Sequence, residues 1–159
     1  MFIILGVSCN PSTNNKTETH IHTESTNSSL APDVSVALKF MNDYADYCTP
    51  KSPPSNDTTW IKRNQLLTNN FKNRYESLLD SADKADPEIG LDFDPIFDAQ
   101  DYPDEGFIFS SQDSSGFVTL KGKDWPEFTV VVKVVLENNK SLVDGAGIIN
   151  IPVNKRALR

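Results

Sequence analysis

One segment of the chain concentrates the side chains that could do chemistry. Residues 86–105 contain eight acids and no Lys, Arg or His; the acids are Asp86, Glu88, Asp92, Asp94, Asp98, Asp101, Asp104 and Glu105. We call residues 86–105 the acidic segment. Carboxylates at this density can bind a cation, exchange protons in acid–base catalysis or form a charged surface. The chain has 22 acidic and 15 basic residues, so removing these eight leaves 14 acids against 15 bases, and the segment accounts for the net charge of −7.

Calcium is the first ligand to consider, because it takes six to eight oxygen ligands. An EF-hand loop beginning at Asp92 would need an acid at position 96 and a glycine at 97, where this chain has Ile96 and Phe97. We therefore predict no metal and no cofactor. An irregular calcium site remains an alternative, and its ligands would be Asp92, Asp94, Asp98 and Asp101.

Catalytic motifs are scarce in the sequence. Both histidines, His20 and His22, precede the predicted domain, so a histidine-activated nucleophile is close to excluded there.

Asp144 lies in an otherwise apolar predicted strand, and a buried aspartate must be paired or have a perturbed pKa. A structural hydrogen bond to nearby backbone is the other interpretation of Asp144. We predict a non-enzymatic protein; the alternative is an isomerase- or dehydratase-like enzyme with Asp144 or Asp94 as base.

The charge distribution favours one class of partner. No cluster of Lys and Arg is present, so we expect no nucleic-acid binding. A local acidic face suits a basic protein instead. One specific alternative is an immunity-type inhibitor that presents this face to a basic, cell-wall-directed toxin. The candidate binding residues are Asp92, Asp94, Asp98, Asp101 and Asp104.

The N-terminal residues predict a membrane tether. Residues 1–9 end in "LGVSC", which resembles the end of a bacterial lipoprotein signal, with Cys9 as the lipidated residue. Gly6 stands where such signals usually have Leu, and we expect the natural start to lie upstream. Residues 10–32 are rich in Asn, Ser and Thr and predict a disordered tether. The expected location is the envelope of a Gram-negative bacterium, anchored by lipid and facing the periplasm or the exterior.

Helical periodicity dominates the first half of the predicted domain, which spans residues 33–159. Apolar residues at spacings of three and four predict a helix over 33–48, with Cys48 as a small core residue. A second helical region covers 58–86 and is expected to break near Thr68.

Strand periodicity dominates the second half, in the stretches 106–111, 116–122, 127–137 and 141–152. The third and fourth are predicted to form a hairpin around Asn138 and Asn139, because Asn tolerates positive φ. In the third stretch one face is apolar and comprises Phe128, Val130, Val132, Val134 and Leu136. Gly145 and Gly147 predict a bulge or a close backbone contact in the fourth. Helices followed by consecutive antiparallel strands give an α+β domain with helices on one face of a sheet.

Apolar residues alternate with the acids of the acidic segment: Ile89, Leu91, Phe93, Ile96, Phe97, Ala99, Tyr102 and, just after it, Phe107. A purely solvated run of charge would not need them. We therefore predict an ordered connection between helices and sheet, with apolar side chains on the core and carboxylates facing out.

Two motifs carry a family resemblance. "DFDPIFDAQDYPDEGF" (92–107) and "LVDGAGIINIP" (142–152) resemble an uncharacterised family of bacterial secreted and lipoprotein domains, over about residues 34–152. Ser141 stands where that family has an aromatic residue. The resemblance implies the cone-shaped α+β fold of nuclear transport factor two and ketosteroid isomerase, in which helices pack on a curved antiparallel sheet around a pocket. It implies no established reaction and therefore no catalytic residues, and the fold hosts enzymes and binding modules alike.

Overall fold

A computed structural model describes residues 31–49 and 57–158. Three helices come first: α1 (Ser35–Cys48), α2 (Asp57–Arg63) and α3 (Asn69–Ala85). Four strands follow: β1 (Phe107–Gln112), β2 (Phe117–Gly122), β3 (Thr129–Glu137) and β4 (Lys140–Ala146). The strands pair in the order β1-β2-β3-β4, every neighbouring pair is antiparallel, and the sheet is open. The predicted α+β class is therefore confirmed.

The helices begin and end where the sequence indicates. One face of α1 is buried and includes Phe40, Met41 and Tyr44, while Cys48 at its end is half-buried. The expected break near Thr68 separates α2 from α3. Thr68 caps α3, because its hydroxyl accepts a hydrogen bond from the backbone N–H of Phe71 at 3.0 Å.

The β3–β4 hairpin confirms the predicted turn, since Asn138 and Asn139 have φ values of 51° and 60°. On β3 the predicted apolar face is buried except for Leu136, which is 37% exposed beside the turn. Strand β4 ends at Ala146, six residues earlier than predicted. The N–H groups of Ala146 and Ile149 each donate to the carbonyl of the other, at 3.0 and 2.9 Å, and turn the chain back on itself.

The core fills the space between the helices and the inner face of the sheet. Phe40 and Met41 of α1 and Val130 and Val132 of β3 are fully buried there. At the first residue of β1, α1 covers the free edge of the strand: Asn42 accepts from the N–H of Phe107 at 2.7 Å and donates to its carbonyl at 3.2 Å, while the other five residues of β1 are exposed. A side-chain amide thereby takes the place of a neighbouring strand.

Across residues 31–49 and 57–158, no helix is long and apolar enough to cross a membrane. Cys9, His20, His22 and the tether up to residue 30 lie outside the described residues. The lipid anchor and the envelope location therefore stay predictions.

Candidate functional site

The acidic segment connects α3 to β1, and its centre is a closed loop. Backbone hydrogen bonds join Asp94 and Ala99 in both directions, at 2.9 and 3.3 Å. One carboxylate oxygen of Asp94 accepts the N–H groups of Ile96 and Phe97, at 2.7 and 2.9 Å. The side chains of Ile96 and Phe97 are fully buried. The loop thus inserts two apolar side chains into the core while Asp94 satisfies the backbone N–H groups that go in with them.

The other carboxylate oxygen of Asp94 binds α1. It accepts the phenolic O–H of Tyr44 at 2.7 Å, and Tyr44 is 1% exposed. Burial, and after it the negative charge of Asp94, raise the pKa of Tyr44 far above its usual value. The phenol therefore stays protonated and keeps donating to Asp94. Asp94 was predicted as part of an acidic face, but the structure directs its carboxylate to the loop backbone and the core.

The two motifs meet at this loop. The N–H of Ile148 donates to the carbonyl of Pro95 at 3.0 Å. Gly147 has a φ of +56°, and a Cβ there would lie 2.4 Å from the carbonyl oxygens of both Pro95 and Ile96. Only glycine fits such a position without strain or displacement. The close backbone contact predicted for Gly147 is confirmed, and its partner is the acidic segment.

Six of the eight acids of the acidic segment are exposed, and three of these are candidate binding residues. Asp92, Asp101 and Asp104 are exposed, and we call them the outer acids. Asp98 is half-buried and has a φ of 58°, a conformation that Asp and Asn tolerate better than most residues. Most apolar residues of the acidic segment are buried or half-buried, as predicted. Ile89 is 66% exposed, so the prediction that it packs on the core is wrong.

The loop between β2 and β3 adds a further carboxylate to this surface. Asp124 accepts the N–H of Asp104 at 3.0 Å and the N–H of Glu105 at 3.2 Å. Desolvation raises the pKa of Asp124, but hydrogen bonds from the N–H groups of Glu105, Asp124 and Asp104 outweigh it and lower that pKa. Asp124 therefore stays ionised and fixes the end of the acidic segment to the sheet.

Metal binding finds no support in the described part of the chain. Residues 31–49 and 57–158 contain no group of three or more His, Cys, Asp or Glu side chains placed to hold an ion. The irregular calcium site would have needed Asp92, Asp94, Asp98 and Asp101 to converge. Instead, Asp94 is bound to backbone and Tyr44 while Asp92 and Asp101 face solvent.

Asp144 is a structural bridge between the sheet and α3. Its carboxylate accepts the hydroxyl of Thr68 at 2.6 Å and the amide of Asn70 at 3.0 Å. Thr68 is the residue that caps α3, so Asp144 orients the cap from the neighbouring strand. The structural interpretation expected backbone partners for this side chain, whereas the partners found are side chains at the start of a helix.

Three surface grooves lie away from Asp94 and Asp144. One of about 620 Å³ lies beside Trp60 between α1 and α2, one of about 390 Å³ beside Trp125, and one of about 300 Å³ beside α3. Neither Asp94 nor Asp144 lines any of these three. The residues that would carry acid–base chemistry are therefore spatially separate from these grooves.

Sequence reasoning missed three residues of this region: Tyr44, Asp124 and Trp125. The helical spacing indicated that Tyr44 is buried. It could not indicate the hydrogen bond to Asp94, which is 50 residues away in the sequence. Asp124 and Trp125 lie in a loop whose contact with the acidic segment follows from the pairing of β1 with β2. Aligning the predicted strands β1 and β2 as an antiparallel pair would have placed the start of β1 beside the end of β2, and so indicated that contact.

Comparison of the chain with protein-family models, with curated proteins and with solved structures finds no match. The family resemblance and the cone-shaped fold therefore stay predictions.

Proposed function

We propose that this chain is a non-enzymatic binding domain that presents the outer acids to a basic protein partner. The observation that carries the proposal is the division of the acidic segment. Asp94 accepts hydrogen bonds within the fold, whereas Asp92, Asp101 and Asp104 are exposed, and the carbonyl of Asp92 and the N–H of Asp104 are bound by Gln100 and Asp124. Fixed carboxylates facing solvent attract a basic surface and favour its correct orientation.

The non-enzymatic part of the proposal is supported by the two carboxylates that an isomerase-like reaction would use. Asp94 accepts three hydrogen bonds, from Ile96, Phe97 and Tyr44. Asp144 binds Thr68 and Asn70. A general base must reach a substrate proton, and both side chains are occupied by groups that stabilise the fold.

The envelope location rests on the sequence alone. "LGVSC" and the polar residues 10–32 support a lipid on Cys9 and a flexible tether. Incorporation of a labelled fatty acid into the full chain, lost in Cys9→Ser together with membrane association, is the expected result. Membrane association that survives in Cys9→Ser would contradict the tether and leave the binding surface to be tested separately.

The negative charge of this surface favours one specific form of the proposal, an immunity-type inhibitor. Asp124 holds the backbone of Asp104 and Glu105, so several carboxylates are held together at one end of the sheet. Such a surface can cover a basic active-site cleft of a cell-wall-directed toxin by charge complementarity.

The binding surface is tested with fluorescein-labelled nona-lysine as a minimal basic ligand, followed by fluorescence anisotropy. Replacing the outer acids together by Asn should weaken binding about tenfold, corresponding to about 0.5 kcal/mol per charge. Binding should also weaken at about 0.15 M salt, where the Debye length is about 8 Å.

A matched control changes three exposed acids of the helices instead: Asp46→Asn, Asp80→Asn and Asp83→Asn. The control alters the net charge equally but leaves the outer acids in place, so it should retain most of the binding. Equal losses in the two triple variants would mean that nona-lysine senses only total charge, and the proposal of a specific acidic surface would be wrong.

A further inference from the structure

An aromatic groove lies where the acidic segment meets the loop between β2 and β3. Its volume is about 390 Å³, and its walls are formed by Ala99, Gln100, Asp101, Trp125, Glu127, Phe128 and Leu158. Trp125 is 44% exposed, and its ring lies 5.1 Å from that of Phe128. An exposed tryptophan at the wall of a groove is the kind of residue that dominates binding energy at protein interfaces.

Acids predominate on the two walls formed by the acidic segment and the loop between β2 and β3, whereas the chain leading to Leu158 carries Lys155 and Arg156. Residues 98–105 and 123–128 contain six acids, and their one base is Lys123. Asp101 and Glu127 lie in the groove wall itself, on opposite sides of the junction. A ligand that fits must therefore combine an apolar body with a positive end.

Arginine matches these walls better than lysine. Its methylene stem can lie on the apolar floor while the planar guanidinium stacks on the indole of Trp125 and donates to Asp101 or Glu127. The compact ammonium of lysine cannot stack as a plane or form paired hydrogen bonds with one carboxylate.

The groove is also held rigid without a ligand. The N–H of Phe128 donates to the carbonyl of Trp125 at 3.0 Å, and the N–H of Gly122 donates to the carbonyl of Phe128 at 2.9 Å. Asp124 joins the same loop to Asp104 and Glu105. A wall that is already ordered loses little conformational entropy on binding.

We propose that this groove is the anchor for an arginine side chain projecting from the basic partner, with Trp125 as the stacking surface. The inference rests on the proposed function and adds to it a side-chain type and a position. The outer acids supply long-range attraction, whereas Trp125 supplies a preference for arginine over lysine.

The experiment compares labelled nona-arginine with labelled nona-lysine on the full chain. We expect nona-arginine to bind about fivefold more tightly, and Trp125→Leu to remove that preference while leaving the salt-dependent binding of nona-lysine. Phe109→Leu is the matched control, because Phe109 is a 46% exposed aromatic outside the groove. In the NMR spectrum of the wild type, nona-arginine should shift the indole N–H of Trp125 far more than that of Trp60.

The outcomes distinguish a failure of the arginine anchor from a failure of the proposed function. If both peptides bind equally and Trp125→Leu changes neither, the anchor is wrong while the acidic surface stands. If neither peptide binds to the wild type, the proposed function itself is wrong. A dimer in solution that dissociates in Trp125→Leu would assign the groove to a second copy of the chain and overturn the arginine anchor. A cooperative urea-unfolding transition followed by circular dichroism shows whether Trp125→Leu is folded.

Discussion

Asp94 and Asp101 lie seven residues apart in the same acidic segment, yet they do different things. The carboxylate of Asp94 accepts two backbone N–H groups and the O–H of Tyr44. That of Asp101 is exposed at the rim of a groove. The segment therefore has an inner half, residues 93–97, that builds the fold, and the outer acids on either side of it, which offer charge to solvent.

The neighbouring apolar residues decide between these roles. Asp94 precedes Ile96 and Phe97, which are fully buried, so the backbone between them leaves water and needs an acceptor. Asp101 lies between the exposed Gln100 and the half-buried Tyr102, and the buried residue that follows, Pro103, has no N–H that would need an acceptor. A density of carboxylates in a sequence thus says little about function until the burial of the adjacent backbone is known.

The inner half is tested most strongly at Gly147, where we expect the largest effect. Gly147→Ala would place a Cβ 2.4 Å from the carbonyl oxygens of Pro95 and Ile96 and adds the strain of a positive φ. The free energy of unfolding in urea should fall by at least about 3 kcal/mol.

Gly90→Ala is the matched control for that variant. Gly90 also has a positive φ, +64°, but its Cβ would meet the flexible side chain of Asp83 rather than backbone. We expect a loss of about 1 kcal/mol there, from conformational strain alone. Equal losses at Gly147 and Gly90 would show that the contact between the two motifs contributes nothing.

A smaller effect is expected from the side-chain link to α1. Tyr44→Phe removes the O–H that Asp94 accepts and should lower the free energy of unfolding by about 1 kcal/mol at neutral pH. Circular dichroism during urea unfolding measures this. A loss below the error of that measurement would mean that the bond does not hold the inner half in place.

The same variant has a distinct pH dependence. Because the folded-state pKa of Tyr44 is raised, its contribution is complete below about pH 10, where the unfolded phenol is protonated, and is lost as pH rises from there toward the folded-state value. Tyr44→Phe should therefore lose stability less steeply with alkaline pH than the wild type. Tyr102→Phe, at a half-buried tyrosine, is the control and should flatten that dependence less.

The smallest effect on stability is expected from the outer acids. Changing Asp92, Asp101 and Asp104 together to Asn should leave the free energy of unfolding within about 0.5 kcal/mol of the wild type. Relief of like-charge repulsion can offset any small loss. A decrease of more than about 1 kcal/mol in urea unfolding would show that these carboxylates serve the fold as well.

Local patterns in the sequence predicted most of the architecture. The helix break at Thr68 and the hairpin at Asn138 and Asn139 follow from capping and turn chemistry, which depend on adjacent residues. The premature end of β4 did not follow, because the apolar run continues to Ile151 while the backbone reverses after Ala146. Period-two patterns indicate buried faces, not the turn that interrupts them.

The candidate site was less predictable, because its contacts join distant parts of the chain. The sequence indicated an ordered acidic segment with apolar side chains on the core, and Ile96 and Phe97 confirm that. It could not indicate which carboxylate would turn inward, since Tyr44 is 50 residues from Asp94. The partners of Asp144 are 74 and 76 residues away. Tertiary packing, rather than the spacing of residues along the sequence, determines which carboxylates turn inward and which groups they bind.

The division of the acidic segment is tested most directly by one pair of variants, Asp94→Ala and Asp101→Ala, compared by urea unfolding. Asp94→Ala leaves the N–H groups of Ile96 and Phe97 and the O–H of Tyr44 without the acceptor they now share. We predict a loss of about 2 kcal/mol for Asp94→Ala and less than about 0.5 kcal/mol for Asp101→Ala. Equal losses at the two positions, or a larger loss at Asp101, would contradict the account.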